Sequence, residues 1–143
     1  MRRRCEVRSV GFHHGPLRWN LCRTEANGVP GFEGDRAGER AIRELIEQHY
    51  PTHGILGEEY GAKQGTSGLT WVLDPVDGTN NFGRGLPGFS VSIGVLRNRQ
   101  PFAGAVYDPL TRWLFSACAG RGAWLNDWPL RTRPVPLSRS SLV

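Results

Sequence analysis

Two aspartates, Asp74 and Asp77, stand in the run Asp74-Pro75-Val76-Asp77-Gly78-Thr79, and a pair of glutamates, Glu58-Glu59, lies upstream. Pro75 fixes φ between the aspartates and Gly78 permits a sharp turn after them. Such a loop can aim two carboxylates and the Val76 carbonyl at one point, the all-oxygen environment a hard cation such as Mg²⁺ takes. Glu58 and Glu59 would supply further negative charge. Carboxylates crowded together without a cation repel, and some are forced to protonate. A bound cation resolves that conflict, and it also lowers the pKa of bound water and stabilises attacking and leaving oxygens in displacement at phosphorus. The Thr79 hydroxyl is suited to orienting such a water. If Asn80-Asn81-Phe82 begins a helical turn, the Gly78 and Thr79 amides face a phosphate.

The bland reading of Asp-Pro-x-Asp-Gly-Thr is a surface turn, since Asp, Pro and Gly are ordinary turn residues. The apolar run before it and the acidic pair upstream argue against that, because a solvated turn requires neither. Glu59 reads equally well as an acid standing behind the ligands or as a surface acid.

These residues need elements to hold them. From Asp35, read as an N-cap or first-turn acid, the residues Ala37, Ala41, Ile42, Leu45 and Ile46 share one helical face. The other face carries i,i+4 pairs: Glu39 with Arg43, Arg40 with Glu44 and Arg43 with Glu47. Pro51 ends this helix. Gly54–Gly57 then reads as a short strand delivering Glu58 and Glu59, followed by a glycine-rich loop from Gly61 to Gly68. A second strand, Leu69–Leu73, ends in Asp74. Phe89, Val91, Ile93 and Val95 alternate with smaller residues as in a half-buried strand. Turns at Arg97–Gln100, Asp108–Thr111 and Asn126-Asp127 separate three more apolar stretches. One helix followed by regularly spaced strands predicts an α+β layered domain with a mainly antiparallel sheet.

Composition sets the outer bounds. The 143 residues fit one domain, and 19 Gly and 10 Pro imply many turns. No run approaches the roughly 18 apolar residues of a membrane span, and the amino terminus lacks the apolar stretch of a signal peptide, so a cytoplasmic protein without a membrane partner is expected. Cys5, Cys22 and Cys118 are widely spaced and suggest reduced thiols. The net charge of +5 invites a nucleic-acid reading, yet the excess of arginine lies before Phe32 and after Asp127. Between those points acids outnumber bases, so nucleic acid is not an expected partner.

Gly57-Glu58-Glu59, the run Trp71 to Phe82 and Ser92-Ile93-Gly94-Val95 together resemble the inositol monophosphatase family, and the likeness runs from Phe32 to the carboxyl terminus. The resemblance implies a lithium-sensitive, Mg²⁺-dependent phosphatase built as a layered α/β sandwich, often a homodimer. It would use two or three Mg²⁺ ions, with Mn²⁺ as a substitute, to hydrolyse a small phosphorylated polyol or sugar such as an inositol monophosphate. By position, Glu58, Asp74, the Val76 carbonyl and Asp77 match metal ligands. Thr79 matches the residue that orients the attacking water, with Asp35 as its polar partner and Glu58 beside them in the catalytic set. Asp77, Gly78 and Thr79 match the substrate-facing positions.

Departures accompany the likeness. Where the family reads V-T-x-A-D, this chain has Gly31-Phe32-Glu33-Gly34-Asp35 and keeps only the final Asp. Residues 1–31 lack the long amphipathic helix expected there and read as an irregular segment, disordered or a misassigned start. Ser138–Val143 stops a little past the family's midpoint, before a W-D-x-A-A-G-like segment that supplies another metal-binding Asp. Residues 32–143 are thus expected to form the amino-terminal, metal-binding half of a truncated sandwich with exposed apolar faces. Histidinol phosphate, sugar bisphosphates and nucleotide bisphosphates are the competing substrates. A non-catalytic remnant or dimerisation module is the competing kind of protein.

Overall fold

The computed structural model describes residues 31–132, and the expectations for the segments on either side lie outside it. Gly31–His49 forms one helix, α1, of 19 residues. It begins a turn ahead of Asp35, so Asp35 is no cap but a buried residue of the second turn. The inward stripe is Asp35, Glu39, Ile42 and Ile46, a 4-3-4 spacing that keeps one face of a helix. Ala41 and Leu45, expected to be buried, are exposed, since each sits one residue, about 100°, off that stripe. Tyr50 closes the helix by donating its amide to the Ile46 carbonyl at 2.7 Å, and Pro51 prevents continuation.

The strands are β1 Gly54–Gly57, β2 Gly61–Lys63, β3 Leu69–Asp77, β4 Ser90–Arg97, β5 Gln100–Asp108, β6 Trp113–Cys118, β7 Gly122–Leu125 and β8 Trp128–Leu130, with the short helix α2, Thr79–Gly83, between β3 and β4. They form one sheet in the order β2-β1-β3-β4-β5-β6-β7-β8. Every neighbouring pair is antiparallel except β1 and β3. The α+β class and the mainly antiparallel sheet follow as expected. The loop expected from Gly61 to Gly68 instead begins with β2, which pairs with β1 through Ile55–Lys63 and Gly57–Gly61.

The turns form where turn residues stand. Asn98 and Arg99 take φ of 49° and 66° between β4 and β5, the left-handed pair of a tight hairpin. Asp108 Oδ1 accepts the Leu110 and Thr111 amides at 2.8 and 3.2 Å. Beyond the Asn126-Asp127 turn the chain adds β8, which the sequence reading did not contain.

α1 lies on one face of the sheet. Its Ile46 meets Ile55 and Leu73, all 5% exposed or less, with Ile42, Tyr50, Trp71 and Ile93 packed around them. Each such aliphatic side chain contributes about 1.5–3 kcal/mol by burial. At one end of this core the Trp71 indole N–H donates to His53 Nδ1 at 3.0 Å while His53 stacks on Tyr50. Burial holds the His53 imidazole below its usual range, so it is the neutral acceptor that bond requires. α1 reaches β3 closely at Gly38, where an added Cβ would lie 3.1 Å from Pro75 Cβ. The other face of the sheet carries apolar side chains that stay partly exposed. No helix among the described residues is long and apolar enough to cross a membrane.

Candidate active site

β1 and β3 run in the same direction with Gly57 opposite Leu73. The residues that follow, Glu58 and Asp74, therefore emerge at the same end of the sheet. This parallel pair brings acids distant in sequence together. β3 does not stop at Asp74 as expected. It continues to Asp77 through a bulge, because Asp74 pairs with Ser92 and Asp77 with Ser90, leaving two residues of β3 opposite one of β4. Pro75 has no N–H to give the ladder and sits in that bulge, where its absence costs nothing.

Gly78 then turns the chain with φ 93° and ψ 37°. A Cβ there would stand 2.6 Å from the Gly88 carbonyl oxygen, so both the conformation and the space demand glycine. α2 starts at the next residue, as the Asn80-Asn81-Phe82 reading anticipated, with the Asn81 and Phe82 amides returning to the Gly78 carbonyl at 2.9 and 3.1 Å. Asn81 Nδ2 donates to the Gly88 carbonyl at 3.0 Å and Phe82 meets Phe89 edge-on at 5.1 Å. These contacts pin the turn from both sides.

The Thr79 hydroxyl donates to the Val76 carbonyl at 3.0 Å and lies near enough to the Asp35 carboxyl to lower its pKa. Burial pushes the Asp35 carboxyl up to about 6; the charges of Glu59, Glu58 and Asp74 add to the rise and the Thr79 hydroxyl opposes it. Asp74 is raised as well, first by burial and then by Asp77, against the Val76 amide that bonds to it. Asp77 and Glu58 have exposed side chains. Glu59 pairs with Arg36, with Nε–Oε2 at 3.1 Å, while its charge is the largest of the acids acting on Asp35.

Thr79 and the Val76 carbonyl are thus in direct contact with Asp35 near them, Glu58 and Asp74 are neighbours at parallel strand ends, and Asp74 feels Asp77. Among the described residues no three acidic, histidine or cysteine side chains converge closely enough to form a ready-made cation cluster. Like charges without a counter-ion spread apart. The donor chemistry nevertheless fits a hard cation: Asp35 Oδ1 and Asp74 Oδ1 are buried and have no hydrogen-bond partner. Leaving a buried acceptor unpaired costs about 1–3 kcal/mol, more when it is charged, and a cation on Asp74 would satisfy that oxygen.

One buried acid packed behind the candidate site was missed in the sequence. Glu39, read there as half of a surface ion pair, is fully buried and accepts the Glu59 amide at 2.7 Å. Its spacing of four from Asp35 and the glycine before Glu58 were the available signals.

The fold and site together define an α+β protein with an oxygen-donor centre at the shared end of two parallel strands. The chain belongs to the inositol monophosphatase family, whose model matches residues 32–143. It is 50% identical over 98 residues to the Nus factor SuhB of Pasteurella multocida (strain Pm70), covering 68% of this chain and 37% of that protein. It is 43% identical over 115 residues to inositol monophosphatase 1 of Solanum lycopersicum, covering 78% and 41%. The solved inositol monophosphatase of Anabaena (Nostoc) sp. PCC 7120 superposes with a TM-score of 0.68 at 39% identity, over 73% of this chain and 42% of that one. SaIMPase-II structures bound to inositol monophosphate and to 2′AMP align with TM-scores of 0.63 at 39% and 41% identity, over 70% and 71% of this chain and 39% and 40% of theirs. The chain therefore spans about two-fifths of the length of these relatives.

Proposed function

We propose that this chain supplies the acidic half of a site that hydrolyses a small phosphate monoester, with Mg²⁺ held by Glu58, Asp74, the Val76 carbonyl and Asp77. The observation that carries the reading is the buried, unpartnered carboxylate oxygen of Asp74. Bound cations would supply an acidified water and neutralise charge building on the phosphoryl oxygens. The chain's own residues do the rest. Thr79 is placed to hold and orient a water, its hydroxyl fixed by the Val76 carbonyl beside Asp35. Gly78 and Thr79 present backbone at the entry to α2, where the amides suit a phosphate.

A phosphorylated polyol is the favoured substrate class, supported by relatives solved with inositol monophosphate and 2′AMP. Phosphate release from inositol 1-phosphate, histidinol phosphate and 2′AMP, with Mg²⁺, tests the reading in this chain and in a version extended to the length of its relatives. Asp77→Asn is expected to lower release by more than about 100-fold. No Asp77-dependent release from either version would sink the enzymatic reading and leave the non-catalytic module in its place.

A further inference from the structure

We infer that Glu39 is a positioning residue whose buried carboxylate sets the direction of Glu58. The inference rests on the reading of Glu58 as a cation ligand and deepens it. Glu39 has no exposed surface. Its Oε2 accepts the Glu59 amide at 2.7 Å, and its Oε1 accepts the Tyr60 amide at 3.3 Å and Arg43 Nε at 2.6 Å. Arg43 in turn donates to the Gly61 carbonyl and lies 5.9 Å over the Tyr60 ring. One ion pair on α1 thereby binds the backbone of the Glu58–Gly61 turn on both sides. Gly57 admits this arrangement, because a Cβ there would overlap the Glu39 carboxylate itself.

Two considerations make this more than structural support. A buried ion pair is weak evidence of stabilisation, since apolar residues of similar size often serve stability as well or better. Apolar residues cannot, however, accept hydrogen bonds from two consecutive amides. Second, among the described residues no hydrogen bond or ion pair fixes the exposed Glu58 side chain. Its aim therefore depends on its backbone, and the amide hydrogen bonds that hold that turn end on Glu39. Groups that orient metal ligands in this way typically carry about 10–100-fold in metal affinity.

The test is Mg²⁺ calorimetry on the purified chain, with the amide resonances of Glu59 and Tyr60 followed by NMR. Wild type should bind Mg²⁺ in a manner lost in Asp74→Asn. Glu39→Gln, which keeps the shape but removes the charge and one acceptor, should bind about 10-fold more weakly and move both amide protons upfield. Gly57→Ala should reproduce that loss. The double variant Glu39→Met, Arg43→Met replaces the pair with apolar bulk, so it should stay folded and still bind Mg²⁺ poorly. Wild-type affinity in folded Glu39→Gln or in the double variant overturns the positioning role while the metal site stands. If wild type itself shows no Asp74-dependent binding, the metal-site reading fails and takes the inference with it.

Discussion

Asp35 and Asp74 are acids whose charge is disfavoured first by loss of water and then by a neighbouring acid, Glu59 for Asp35 and Asp77 for Asp74. For Asp35 the consequence can be signed. Its folded pKa of about 6 lies above the ordinary aspartate value of 3.8, so between those values the folded state holds more protons than the unfolded one. Stability then falls as pH rises through that window. Asp35→Asn removes the titration, and without a divalent cation it should gain on wild type by about 1–3 kcal/mol between pH 4 and pH 7. Urea unfolding in EDTA at the two pH values measures the difference, and parallel profiles would count against the burial argument. Adding Mg²⁺ at pH 7 should reverse the ranking. Glu58, Asp74, Asp77 and Thr79 were legible in the sequence because their side-chain types and spacing limit what they can do. Asp35 was reached through family resemblance, since its local pattern reads as an ordinary helix start. Glu39 was not legible as a site residue, because an i,i+4 pair with Arg43 looks the same on either face of a helix.

At the scale of elements, the site depends on two features that local patterns do not encode. The parallel register of β1 with β3 is a long-range pairing, and a strand flanked by glycines looks identical whichever neighbour it chooses. The bulge at Pro75-Val76 was hidden for a different reason: proline after an apolar run signals a strand end, and only the β4 partner shows that pairing resumes at Asp77. The turn into α2, by contrast, was visible, because Gly78 precedes a helix start and its neighbours favour turns. Gly78→Ala should destabilise the protein by about 2 kcal/mol or more, from a strained φ and a clash with the β4 approach at Gly88 and Phe89. Chemical denaturation should show a lower midpoint at unchanged slope. Mg²⁺ affinity should drop with it, because the same turn aims Asp77 and Thr79. A midpoint equal to wild type would mean that the turn relaxes freely and does not hold the site rigid.

Across the whole molecule the two faces of the sheet differ. One face packs against α1 and holds Ile46, Ile55 and Leu73. On the other, cross-strand register lines up Leu56 with Val72, Val106 with Phe115, and Ala123 with Leu130. Leu56, Val106, Phe115 and Leu130 remain 38–46% exposed there, the last three around a shallow groove of about 410 Å³ that also includes Asp74. The sequence announced strands with apolar alternation but could not say that β3 to β8 would lie side by side and turn those residues the same way. Contiguous apolar surface of this kind binds hydrophobic probes and drives association. The purified chain should therefore enhance ANS fluorescence and sediment as concentration-dependent oligomers. Replacing Val106, Phe115 and Leu130 together by Thr keeps good strand formers in place while removing the apolar stripe. That variant should lose most of the ANS signal and shift towards monomer, with its far-UV circular dichroism unchanged. Equal ANS binding and equal association in the triple variant would show that this face is not the one that meets solvent.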